Sequence, residues 1–273
     1  MSEASVPTFS VGEAIAWSWR LTWRNFWRYL LVAVIFVLIN AAVSTVTSMP
    51  SGLAQGMMDS TNGNASIAIG AGSMVLAFIG TVINFLVSAF LAFATIRIAL
   101  SVTRGEDVEV KTAFVFEDFG WYLLNSVVLA LIVVVGFLVP FGVLAIIGAI
   151  IGGNTLIALL VIGAFLGFVV AFVISIGFTF FGFAVIDQHL TGLHALKVSW
   201  GLVRPHFWKV LGLAVLLTLI GIGIFVVAVV AGILMIIIGL LVTLPAAGVI
   251  MFGMGSLSYA YAYRRMSGQE IAA

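Results

Sequence analysis

Six times between Trp27 and Ala260 the chain runs for about twenty residues or more with scarcely a charged side chain, and this recurrence decides what it can fold into. The apolar stretches fall at roughly 27–47, 73–99, 122–149, 155–186, 208–230 and 234–260. A helix needs about 20 residues to cross about 30 Å of hydrocarbon. In lipid the crossing segment must be helical, because unpaired backbone groups have no water to bind. The whole chain of 273 residues is 63% hydrophobic and only 8% charged, whereas soluble domains run near 45–50% apolar and 25% charged. The expected fold is an all-α polytopic membrane helix bundle, with six transmembrane helices as three hairpins preceded by amphipathic interfacial helices. The chain forms a single membrane domain, 1–273, with hairpin units at 10–99, 105–186 and 192–263.

The positions of the basic residues orient this bundle. Arg20, Arg24 and Arg28 precede or open the first span, and Arg97, Arg104 and Lys111 lie between the second and third. Lys197, Arg204 and Lys209 lie between the fourth and fifth, and Arg264 and Arg265 follow the sixth. The segments 48–72, 150–154 and 231–233 contain no Lys or Arg. The positive-inside rule then places both termini in the cytoplasm. No cleavable signal peptide is read at the start, so the first span acts as the targeting element.

A motif precedes two of the hairpins. Ala14-x-x-x-Ser18-Trp19-x-Leu21 followed by Phe26-Trp27 recurs as Ala195-x-x-x-Ser199-Trp200-x-Leu202 followed by Phe207-Trp208. Ser10 and Glu13 have the spacing of a capping box. Trp19, Trp23 and Trp27 recur every four residues, as do Arg20, Arg24 and Arg28, so the two stripes run side by side. This pattern suits a helix at the membrane surface, with indoles in the headgroup zone and guanidinium groups toward phosphates. Arg20, Arg24, Arg28, Lys197, Arg204 and Lys209 are the candidate contacts for anionic headgroups or a protein partner. Trp19, Trp23, Trp27, Trp200 and Trp208 are the candidate interfacial anchors. Gly105 to Tyr122, with five acids and Trp121, reads as a weaker third entrance.

Chemistry is sparse. Zero Cys excludes disulfides and thiol nucleophiles. Arg97 and Asp187 lie at the ends of spans, where they reach interfacial water. His189 and His194 differ by five residues, which does not align them on one helical face, and no HExxH occurs. Nothing resembles a phosphate-binding loop, a nucleophile elbow or a dinucleotide fingerprint. No catalytic residue, metal site, cofactor or nucleic-acid partner is expected. Asn40, Asn84 and Asn125 read as interhelical hydrogen-bonding positions. Gly148-x-x-x-Gly152 and Gly163-x-x-x-Gly167 read as small-residue packing faces, and Pro140 and Pro245 as bends in the bundle. Ser48 to Gly72 reads as a flexible loop, with Asn64-Ala65-Ser66 a glycosylation sequon of little weight, and a turn is expected near Ala231-Gly232.

The corner from Asp187 through Ser199-Trp200 to Arg204-Pro205-His206-Phe207-Trp208, with Pro245 and Ala260-Tyr261-Ala262-Tyr263-Arg264, resembles an uncharacterised group of bacterial six-span integral membrane proteins. Some of these are membrane domains associated with glycerophosphoryl diester phosphodiesterases, in which catalysis belongs to a separate soluble barrel. The resemblance implies a bacterial inner membrane and a module that accompanies another activity. The expectation is a non-enzymatic membrane module, accessory to lipid or envelope processes, whose partners are membrane lipids and a membrane or cytoplasmic protein. The alternative is a small-molecule or lipid transporter.

Overall fold

The computed structural model describes residues 9–59, 64–234 and 238–271. Its elements are α1 (Val11–Arg24), α2 (Phe26–Asp59), α3 (Asn64–Thr103), α4 (Val110–Ala113), α5 (Phe119–Ile151), α6 (Asn154–Gly177), α7 (Phe181–Gln188), α8 (His194–Val203), a 3-10 turn at Arg204–His206, α9 (Phe207–Leu234) and α10 (Ile238–Met266). Six helical stretches are long and apolar enough to cross a membrane. Their Val, Ile, Leu and Phe side chains point largely outward, as at Leu131, Val135, Ile146, Phe165 and Phe168. A surface of this kind is stable in hydrocarbon and not in water. The protein is an all-α polytopic membrane bundle.

Helices α2 and α3, α5 and α6, and α9 and α10 pack as adjacent pairs, while α10 also lies against α1, α2 and α3. The buried core is concentrated where the basic residues gather, a region called the basic end below. Phe93, Ile98, Leu100, Phe180, Leu257 and Tyr263 are fully buried there. Phe183 stacks on Tyr263 with centroids 5.5 Å apart. Aromatic pairs of this kind add to the simple area burial.

The repeated motif has a buried face as well as an exposed one. On α1 it is Ala14, Ser18, Leu21 and Thr22 that are buried. Ser18 donates to the Ile15 carbonyl at 3.0 Å, so across the 2.7 Å contact the Ser258 hydroxyl of α10 is the donor. The second copy does a different job. The fourth span is interrupted between α6 and α7, which exposes backbone groups that must find partners. The Ser199 hydroxyl donates to the Gly177 carbonyl at 3.2 Å and accepts from the Phe180 amide at 3.1 Å. Trp200 covers Gly177 so closely that a Cβ there would fall 2.4 Å from its ring.

Several sequence expectations are corrected. The presumed loop 48–72 is helical on both sides, with α2 reaching Asp59 and α3 starting at Asn64; residues 60–63 lie outside the described residues. The sequon therefore opens a helix. Ala231 and Gly232 themselves stay within α9, which runs to Leu234; residues 235–237, ahead of α10, lie outside the described residues. Ser10 caps α1 only by position, since its side chain makes no capping bond. The middle entrance holds a single helical turn, α4, in place of an amphipathic helix. Gly148 packs on the backbone of Leu156, but Gly152 ends α5 at φ +77° and belongs to no packing face. Gly is favoured there because L side chains are strained at such φ values. Asn84 links α3 to Thr47 of α2 at 2.8 Å, and Asn125 reaches the Gly192 carbonyl at 2.9 Å. Asn40, by contrast, bonds within its own helix.

Candidate functional site

At the basic end two kinds of surface adjoin. One is an exposed set of cations and indoles; the other is a buried polar knot. Arg20, Arg24, Lys197, Arg204 and Lys209 are all exposed and take part in no salt bridge among the described residues. Trp27 and Trp208, which open the first and fifth spans, are 77% and 80% exposed. Trp19 and Trp23 are also exposed and meet edge to face, with centroids 5.7 Å apart. Trp200 is exposed as well, but one side of it lies on Gly177 and it tilts against Phe178 at 5.6 Å.

Arg28 differs from its neighbours, because its guanidinium pairs with Asp107 in the connection after α3. Nothing in the local pattern points to this partner, since few acids lie near Arg28 in the chain. The Arg28 hydrogen bond, reinforced by its charge and by Arg24, holds the Asp107 carboxyl below its ordinary value of 3.8. A depressed carboxyl stabilises the fold above its unfolded value, and that contribution is lost as pH falls through the folded value. A carboxyl titration followed by NMR should therefore place Asp107 below 3.8. Arg28→Gln should return it to the ordinary range; an unchanged midpoint would mean that the pair does not form.

The polar knot centres on Asp187, near the end of α7. Its side chain is only 5% exposed, so it does not reach interfacial water as its position in the sequence suggested. Arg104 donates to its Oδ1 at 2.9 Å and Arg264 to the same oxygen at 3.0 Å. Gln269 donates to Oδ2 at 2.7 Å. One turn position along, Gln188 donates to the Tyr263 hydroxyl at 2.9 Å. The carboxylate thus ties the end of α3, the end of α10 and the segment beyond α10 to α7. The charge is buried yet matched, the condition under which burial of an ion is tolerated.

Beside this knot, a polar cavity of about 270 Å³ is lined by Arg97, Ser101, Arg104, Glu106, Glu117 and His189 among others. Arg97, half-buried at the end of its span, donates to the Val115 and Glu117 carbonyls at 3.3 and 3.0 Å. His189 meets Asp118 at 2.6 Å. Both residues have left-handed backbones, with φ of 50° and 65°. They face one another from the end of α7 and the start of α5. His194 and His206 instead contact the Thr191 and Leu202 carbonyls. Among the described residues, no three His, Asp or Glu side chains are grouped so as to hold a metal ion.

The spans carry a different type of cavity. Pro245 sits inside the unbroken α10 and borders an apolar groove against α2, so it does more than bend a helix. Pro140 lies within α5, which continues to Ile151.

No curated protein and no solved structure matches the chain. The interrupted fourth span, the Ser199 bridge and Asp187 all fall within residues 52–260, the stretch matched by the model of the domain of unknown function DUF7847, and the chain belongs to that family.

Proposed function

We propose that this protein is a non-enzymatic membrane module whose basic end faces the cytoplasm and gathers anionic lipid headgroups for an envelope or lipid-related process. The observation that carries the reading is the exposed set Arg20, Arg24, Lys197, Arg204 and Lys209, unpaired among the described residues and adjoined by exposed indoles. Basic groups near an anionic surface contribute about 1 kcal/mol each, and indoles favour the same depth. On this reading both termini are cytoplasmic and the membrane is a bacterial inner membrane. The sequence resemblance to phosphodiesterase-associated membrane domains is in keeping with a module that serves a separate partner protein.

The test is lipid enrichment around the purified protein in mixed phosphatidylglycerol and phosphatidylcholine nanodiscs. Neutralising the five cations to Gln should reduce phosphatidylglycerol enrichment, by up to about fivefold per residue at low salt. Raising the salt should reduce the wild-type enrichment in the same direction. Arg28 stays unaltered because its guanidinium already holds Asp107. Equal enrichment in wild type and the five-site variant would sink the headgroup role. A transporter is the second reading, favoured by the lateral groove beside Pro245. Saturable protein-dependent flux of a lipid in liposomes would support it.

A further inference from the structure

Two neighbouring cavities lie along one side of α2 and share part of their lining. The first, about 440 Å³, lies between α2 and α10 and is lined by Leu30, Val34 and Val37 on one wall and Pro245, Gly248 and Phe252 on the other. The second, about 420 Å³, shares Phe36 and Val37 with it and continues past Asn40 and Ser44 toward Leu91 of α3. From Leu30 to Ser44 this path covers about 21 Å of helix at 1.5 Å per residue. It lies within segments apolar enough to span a membrane, so its medium is hydrocarbon and not water.

Its chemistry changes along its length. The end near Leu30 is wholly apolar, whereas the other end presents an amide and a hydroxyl. Asn40 and Ser44 are both exposed, and their mutual contact is a long 3.4 Å. A polar group facing hydrocarbon without a good partner is unfavourable, so these side chains stand ready to bond to an occupant. None of the residues lining either cavity is ionisable. A charged head would be desolvated there without a counter-charge.

We propose that this path binds one long-chain amphiphile with an uncharged, hydroxyl-bearing head. The chain lies between α2 and α10 against Pro245 and Gly248, and the head hydrogen-bonds to Asn40 and Ser44. Gly248 keeps the groove open: a Cβ at this position has no heavy atom within 4 Å. A larger side chain there fills the groove without striking the backbone. The groove begins close to the basic end, at Leu30, but no cation lines it, and it does not depend on the role of the five exposed cations.

The experiment is photolabelling of the full chain in phosphatidylcholine nanodiscs. The probe is a long-chain alcohol carrying a diazirine in its chain; the comparison is phosphatidylcholine with the same diazirine chain. The alcohol should label peptides containing Leu30–Ser44 and Leu244–Phe252 saturably, and unlabelled alcohol should compete. Gly248→Phe should cut this labelling at least about fivefold by filling the groove. Asn40→Leu should cut it about threefold by removing a hydrogen bond in lipid. Labelling on the outer face of α5 should be unchanged, and helical content measured by circular dichroism should match the wild type. Labelling indifferent to both variants overturns the proposal. So does equal labelling and competition by the phosphatidylcholine probe, which would make the groove ordinary acyl-chain contact. Phosphatidylglycerol enrichment stays at the wild-type level in both variants, which separates this outcome from the headgroup reading.

Discussion

Asp187→Ala is expected to lower the unfolding free energy by about 3–5 kcal/mol, because it leaves the buried Arg264 guanidinium without its counter-charge. Arg264 is the most affected, with a side chain only 10% exposed on the same carboxylate oxygen that Arg104 uses. Three further substitutions should rank below it in a fixed order. Arg264→Ala removes the more buried partner and should come next. Arg104→Ala should cost less, since its side chain is 45% exposed and solvent screens its charge. Asp187→Asn keeps the shape and one acceptor oxygen but loses the charge and the second acceptor, so it should fall between Asp187→Ala and wild type. Reversible unfolding in mixed micelles, followed by tryptophan emission, measures all four. If Asp187→Ala lies within 1 kcal/mol of wild type, the carboxylate does not hold the helix ends together.

Asp187 also shows which parts of the molecule were legible from the chain alone. The spans could be read because hydropathy over about 20 residues is a local property. The partners of Asp187 are 77 to 83 positions away. In the sequence Arg104 and Arg264 therefore read only as markers of topology, and Asp187 as a residue near water. Arg28 and Asp107 were separated in the same way. The repeated motif drew attention through its Trp and basic residues, yet its small residues carry the packing. Ala14 and Ser18, like Ala195 and Ser199, are fully buried. That role depends on having α10 or the α6–α7 break alongside, which no period within the motif reveals. The signal was nevertheless present: Ala and Ser recur at the same spacing in both copies, where an exposed helix face has no need of them. Composition misled at 48–72, where Gly, Ser and Asn suggested a water-exposed loop. Beside the neighbouring helix, the backbone of 48–59 and 64–72 remains in helical pairing. The lateral path along α2 was hidden for another reason, since Pro245 and Asn40 are on different helices and only packing brings their cavities together.

The α5–α6 contact gives the second large effect. Gly163 and Gly167 are buried on α6 and face α5. A Cβ at Gly167 would lie 2.5 Å from the Phe137 carbonyl oxygen, and one at Gly163 would lie 3.1 Å from the Phe141 Cα. The obstruction is backbone, so no side-chain rotation relieves it. Gly167→Leu should therefore destabilise by about 1–3 kcal/mol or more, by forcing the helices apart. Gly167→Ala should do so in the same direction, although alanine favours the helix over glycine by about 1 kcal/mol. Gly142→Ala is the matching control, because a Cβ there meets nothing within 4 Å. It should be neutral or slightly stabilising. The same unfolding measurement decides the matter: equal effects of Gly167→Ala and Gly142→Ala would refute the close approach of α5 and α6. The glycine face also bears on assembly. Because α5 already occupies it, a second copy of the chain has no access to that face. Gly167→Leu should accordingly lower stability at every protein concentration alike, whereas a dimer held through these glycines would show a concentration-dependent loss.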